Sequence, residues 1–133
     1  MPIVVDCSVA AAWALADERT AWSAAALNSA TVEGAIVPSL FWYEIRNILV
    51  INERRHRIEA NQTAQFLLDV DPLIDFDLQA VESDVLELAR VHTLTVYDAS
   101  YLELASRLGL PLCTLDKPLI EAALKIGVTL WQP

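Results

Sequence analysis

Five short apolar segments, "PIVVD", "GAIVP", "PLIDF", "PLCTL" and "VTLW", alternate in this chain with longer stretches of helical periodicity. Apolar runs of this length, bounded by turn and cap residues, read as buried strands. Strands that alternate with helices pair in parallel, because a parallel pair needs a long crossover and a helix is the usual one. The expected fold is therefore α/β, a three-layer α/β/α sandwich with a mostly parallel sheet of about five strands.

The helices are placed by their caps and periods. "SVAAAWALA" and "ERTAWSAAALNSA" precede the second strand, and Ser39 can cap a helix through "LFWYEIRNILVINERR". A further helix is expected from about Glu59 to Asp69. Asp77 can cap "LQAVESDVLELARVH", Asp98 opens "YDASYLELASRLG", and a last helix from about Lys117 to Ile126 stops at Gly127. No internal repeat, low-complexity stretch or linker interrupts residues 1–133. A chain of 133 residues buries roughly two-thirds of its unfolded surface around one core, so a single domain is expected.

The hydrophobic fraction, 55%, is high, yet no apolar run approaches the ~20 residues of a bilayer span. The excess is assigned to buried strands and to a hydrophobic patch for a partner. No basic residue precedes Arg19 and Asp6 interrupts the leading apolar stretch, so a secretory signal is not expected and a cytoplasmic location is. Cys7 and Cys113 lack metal-type spacing and read as reduced core residues. Nine basic against eighteen acidic residues, a net charge of −9, argue against broad electrostatic attraction to nucleic acid. The basic cluster "ERRHR", Glu53 to Arg57, is either a solvated helix end or a phosphate contact. With three glycines and neither a G-x-G-x-x-G nor a Walker-type loop, the phosphate-cradling nucleotide folds lose most of their support.

The acids fall at telling places. Asp6 follows "IVV", Asp116 follows "CTL", and Asp98 opens a helix after "LTVY". In open α/β sheets the carboxyl ends of the parallel strands share the edge that holds the binding crevice, so these three can converge there. Taken singly, each reads first as a helix N-cap. Glu44 does not. It lies well inside a predicted helix, on a face shared with Leu40, Ile48 and Ile51, too far from the start to be a cap. A carboxylate buried there needs a proton, a cationic partner or a metal. Asn47, one turn on, faces the same way and can hydrogen-bond it. Two like charges 4 Å apart cost ~1 kcal/mol in water and ~4 kcal/mol at an effective dielectric of 20, so four gathered carboxylates call for a cation. Only Arg46, Lys117 and Arg107 lie near these acids in sequence. An all-oxygen pocket suits Mg²⁺ or Mn²⁺ better than zinc, and such ions commonly serve phosphoryl chemistry.

The segments "IVVDCSV", "PSLFWYEIRNIL" and "VYDASYLELASRLGLPLCTLD", together with the strand order, resemble the PIN domain, and more narrowly the VapC-type toxin ribonucleases of bacterial toxin–antitoxin pairs. The resemblance runs nearly end to end. It implies a Mg²⁺- or Mn²⁺-dependent endoribonuclease whose four metal-binding acids are Asp6, Glu44, Asp98 and Asp116. Ser8 and Thr114 match hydroxyl residues that would support metal or phosphate, although both can equally be local cap or strand residues. Asn47 matches a polar companion of the helix acid. The implied reaction is hydrolysis of RNA by a metal-activated water, with Glu44 orienting the water or completing the shell. Arg46, or Arg54, Arg55 and Arg57, could then bind flanking phosphates.

The same resemblance implies a homodimer and an antitoxin whose tail fills a hydrophobic groove and delivers an arginine to the acids. Trp13, Trp22 and Trp42, in or beside the first three helices, are either interface anchors or core. Two rivals stand beside this reading. One is a small-molecule phosphoesterase or receiver-like phosphoryl-transfer domain, although the paired acids of a receiver and the Asp-x-Asp of a phosphatase are missing after the first strand. The other is an interaction domain whose acids cap helices and bind an arginine-rich partner.

Overall fold

The computed structural model describes residues 1–133. Strand β1 (Ile3–Val5) leads into α1 (Cys7–Ala14) and α2 (Ala21–Glu33), β2 (Ala35–Pro38) into α3 (Leu40–Arg54) and α4 (Ala60–Val70), and β3 (Ile74–Asp77) into α5 (Glu82–His92) and α6 (Val96–Leu108). Strand β4 (Leu112–Cys113) is followed by α7 (Lys117–Ile126). The sheet has the order β3-β2-β1-β4 and is parallel throughout, with Ile3 opposite Ala35, Val4 opposite Leu112 and Ala35 opposite Ile74.

The chain steps one way across the sheet from β1 to β3 and then jumps back past β1 to β4. Right-handed crossovers therefore put α1 to α4 on one face and α5 to α7 on the other, which is the expected three-layer sandwich. The reversal between β1 and β4 is the switch point where such sheets leave a crevice at their carboxyl edge. Asp6 and Asp116 follow those two strands. Helix α6 lies on the inner strands and packs against α5 and α7, so Ala99 to Ala105 are all buried.

Four strands form where about five were expected. "VTLW" contributes one bridge, Leu112 to Leu130, flanked by Leu112 N–H to Thr129 O and Trp131 N–H to Leu112 O, each 2.8 Å. Its neighbour β4 is only two residues long and offers no further ladder. Two caps also differ from expectation. Asp77 remains in β3, held there by Arg107, and α5 starts later, after Val81. Ser39 already has helical φ and ψ, so its hydroxyl makes no cap hydrogen bond, which requires an extended backbone. The segment before α2 makes a separate 3₁₀ turn at Ala16–Glu18, and Thr20 caps α2 by accepting from Ser23 N–H.

The core joins both faces of β1 to α1, α3, α6 and α7, with Trp13, Phe41, Leu49, Leu102 and Leu119 fully enclosed. Among the tryptophans weighed as anchors, Trp13 is core and donates its indole N–H to Ser23 O, whereas Trp42 is exposed and Trp22 packs edge-on against Trp131. Cys7 and Cys113 are buried free thiols, as expected. No helix is long and apolar enough to cross a membrane.

Candidate active site

At the carboxyl edge of β1 and β4 a cup of about 400 Å³ is lined by Asp6, Glu44, Asp98 and Asp116, with Glu18, Cys7, Ser8 and Tyr101 among its other walls. All four acids singled out in the sequence face one space. No Lys or Arg lines it.

Asp6 is the most enclosed of the four, 4% exposed. It is the N-cap of α1: its Oδ1 accepts from the Ser8 and Val9 backbone N–H groups and from the Ser8 hydroxyl. Its Oδ2 accepts from the Thr114 hydroxyl, which in turn accepts from Asp116 N–H. Ser8 Oγ also accepts from Leu115 N–H at 2.9 Å, so Ser8 and Thr114 tie the end of β1 to the end of β4. Burial pushes the Asp6 carboxyl up to about 6, against the pull of these donors and helped by the charge of Asp116.

Asp116 is the N-cap of α7 through Oδ2 and Leu119 N–H at 3.1 Å. The cap reading is thus right for Asp6 and Asp116 and wrong for Asp98. Helix α6 begins at Val96, and its cap is Thr95, whose hydroxyl accepts from Asp98 N–H at 3.0 Å. The spacing "TVYD" carried that signal, since a threonine three before an acid is half of a capping box. Freed from capping, the Asp98 carboxylate turns into the cup, and desolvation followed by the charge of Asp116 raises its pKa.

Glu44 sits on the flank of α3. The buried stripe of that helix is Phe41, Ile45, Leu49 and Asn52, offset by one position from the expected Leu40, Ile48 and Ile51, so Glu44 is half-buried at the stripe's edge. Asn47 is exposed, lies outside the cup and makes no hydrogen bond to it. The donor is Tyr101 instead, whose hydroxyl reaches Glu44 Oε1 at 2.7 Å. Desolvation raises the Glu44 pKa, and Asp98 adds to the rise. Burial also pushes the Tyr101 phenol and the Cys7 thiol far up, so both remain protonated.

Nowhere do three His, Cys, Asp or Glu side chains close on one point at ligand spacing. The acids line a cup rather than a cage. That geometry and an all-oxygen donor set fit a hard divalent ion that keeps several of its waters. Four partly desolvated carboxylates with no cation among them, three with raised pKa values, fit it as well.

The basic residues are spent elsewhere. Arg46 pairs with Asp71 at 2.8 Å and stacks over Trp42, and Arg107 pairs with Asp77 and Glu103 at 2.6 Å each. Arg57 bonds Asn52, Asp17 and Glu18, fastening the 3₁₀ turn that brings Glu18 to the cup. Arg54 and Arg55 are exposed at the end of α3 and make no ion pair, and Lys117 is exposed beyond the cup. Sequence reasoning missed Glu18, for which there was no signal. It also missed Tyr101, which at three residues beyond Asp98 shares that acid's helix face.

The PIN domain family profile matches residues 3–125. The chain belongs to the PIN domain family. Ribonuclease VapC3 of Pyrobaculum aerophilum is 32% identical over 125 residues, covering 91% of this chain and 94% of that protein. The crystal structure of PAE2754, also from Pyrobaculum aerophilum, superposes with a TM-score of 0.73 at 25% identity, over 92% of this chain and 84% of that one. The fold and family that the sequence motifs implied are those found.

Proposed function

We propose that this protein is an endoribonuclease of the VapC type, the toxin of a toxin–antitoxin pair, and that the acidic cup is its active site. The observation that carries the reading is the cup itself: four carboxylates from four separate chain segments, with no cation in its walls. Membership in the PIN family and similarity to a named ribonuclease support the substrate class.

In this proposal Asp6, Glu44, Asp98 and Asp116 would hold Mg²⁺ or Mn²⁺. The chemistry supplied by a bound ion there would be activation of water and neutralisation of charge on the scissile phosphate. The chain's own part is placement. Ser8, Val9 and Thr114 fix both oxygens of Asp6. The α7 cap fixes one oxygen of Asp116, while Thr95 secures the turn that aims Asp98. Glu44 orients water or completes the shell. Arg54 and Arg55, being unpaired, are the better candidates for flanking phosphates, and Arg46 and Arg57 would first have to leave their carboxylates. A homodimer, a cognate antitoxin and a cytoplasmic location complete the proposal, and residues 1–133 form one domain within it.

The test is incubation of purified protein with total RNA and Mn²⁺ or Mg²⁺, with EDTA and Asp98→Asn controls. Discrete fragments that need both the metal and Asp98 are expected. Intact RNA in every lane, or cleavage that survives EDTA, rejects the proposal.

A further inference from the structure

Glu44 is the acid of the cup that stands in the middle of a helix, away from any helix N-terminus. Asp6 and Asp116 are held by helix N-termini, whose free N–H groups point at them, and a mid-helix residue has no such donors. Its carboxylate is at the end of a side chain with three rotatable torsions, only half enclosed, and would sample solvent-facing rotamers if nothing held it. What holds it comes from the opposite wall. The Tyr101 hydroxyl donates to Glu44 Oε1 at 2.7 Å, and Cys7 Sγ lies 3.9 Å from the same oxygen and 3.7 Å from the phenol. Glu44 Oε2 accepts no hydrogen bond from the protein, and the residue lines the cup.

Tyr101 is suited to this by its own fixity. It is 1% exposed, on the most buried turn of α6, so its ring cannot swing away. Asp98 lies one turn earlier on the same helix. One rigid element therefore carries one acid of the cup and the anchor of another, and sets their separation.

We propose that Tyr101 is the positioning residue of the site, holding Glu44 through Oε1 so that Oε2 is presented to the bound metal ion or its water. This rests on the metal-dependent reading of the cup. The test is Tyr101→Phe, which keeps the ring and removes the one donor. Outer-shell partners of this kind are worth about 10- to 100-fold in metal affinity or activity, so kcat on RNA and the Kd for Mn²⁺, read by titration calorimetry without RNA, should each worsen by at least about 10-fold. KM for RNA should stay unchanged.

The deciding measurement repeats the Mn²⁺ titration in a Glu44→Ala background. If Tyr101 acts through Glu44, adding Tyr101→Phe there changes Kd by less than about two-fold, because the two substitutions remove one interaction. Wild-type Mn²⁺ affinity and kcat in Tyr101→Phe overturn the proposal. So does an equal loss in both backgrounds, which is the signature of general core packing. Failure of the underlying reading looks different: the unsubstituted protein would bind no Mn²⁺, or Asp6→Asn would still cleave RNA, and the role of Tyr101 would fall with it.

Discussion

Two acidic clusters in this molecule use the same residue types and behave in opposite ways. Asp77 and Glu103 meet Arg107 between β3 and α6, and the guanidinium holds the Asp77 carboxyl below its usual range. Asp6, Glu44 and Asp98, with Asp116, meet no cation, and all three have raised pKa values, Asp6 to about 6. In the first cluster the countercharge is covalently part of the fold, so the ion pairs serve stability. In the second, on the proposed reading, it is left to be supplied from outside, and the stability forgone there is the price of a site.

The largest effect that would break this contrast is on activity. Asp6→Asn or Asp98→Asn should lower RNA cleavage about 100- to 1,000-fold, the scale of removing one electrostatic contributor to a transition state, with circular dichroism unchanged. Cleavage within a few-fold of wild type in both variants would make the two clusters equivalent.

Next in size is the compensated cluster. Arg107→Ala leaves Glu103, whose side chain is 3% exposed, with only the Val81 N–H, and removing one member of this partly buried pair costs about 3 kcal/mol, the low end for buried ion pairs. Thermal unfolding should shift down on the order of 10 °C. The Kd for Mn²⁺ should not move, and a weakened Kd would show the clusters to be coupled.

Mn²⁺ should have the converse action on the cup. At about 100 times its Kd, an ion that binds only the native state adds about 2.7 kcal/mol, and this gain should vanish in Asp6→Asn while surviving in Arg107→Ala.

The smallest effect is on pH dependence in metal-free buffer. The folded-state pKa of Asp6 is raised from 3.8 to about 6, so its contribution to stability is complete below about 3.8 and is lost as pH rises through 6. Lowering the pH from 7.5 to 5 should therefore stabilise the metal-free protein by roughly 1 kcal/mol, and Asp6→Asn should flatten that slope. Asp77 runs the other way: its folded pKa is lowered, so its contribution is present above 3.8 and is lost only as pH falls through the lowered value. A scan from 7.5 to 5 thus separates the cup from the Asp77 cluster.

How much of this was legible in the sequence depended on range. Strands and helices follow from periodicity, and the convergence of Asp6 and Asp116 follows from parallel topology, since both sit at the ends of strands. Glu44 announced itself by being polar in a helix interior. What failed was anything decided across the sheet. Asp77 looked like a cap because its partner Arg107 lies thirty residues away in sequence and one layer away in space. Asn47 looked like the companion of Glu44 because it is near in sequence, but the true companion is on α6, fifty-seven residues on. The fifth strand was overcounted because apolar sequence does not report how long its neighbour is.

The two aspartates that follow strands β1 and β4 also start helices, so in the proposed site one carboxylate does two jobs at Asp6 and again at Asp116. Anyone seeking an inert copy of the protein for structural or cellular work must therefore separate charge from capping. Asparagine caps about as well as aspartate, whereas alanine gives up about 1 kcal/mol of helix start, so Asp6→Ala would confuse a lost reaction with a loosened α1. Asp98 carries no such double duty, because Thr95 starts its helix, and it is the position where even a blunt truncation leaves an interpretable silent protein.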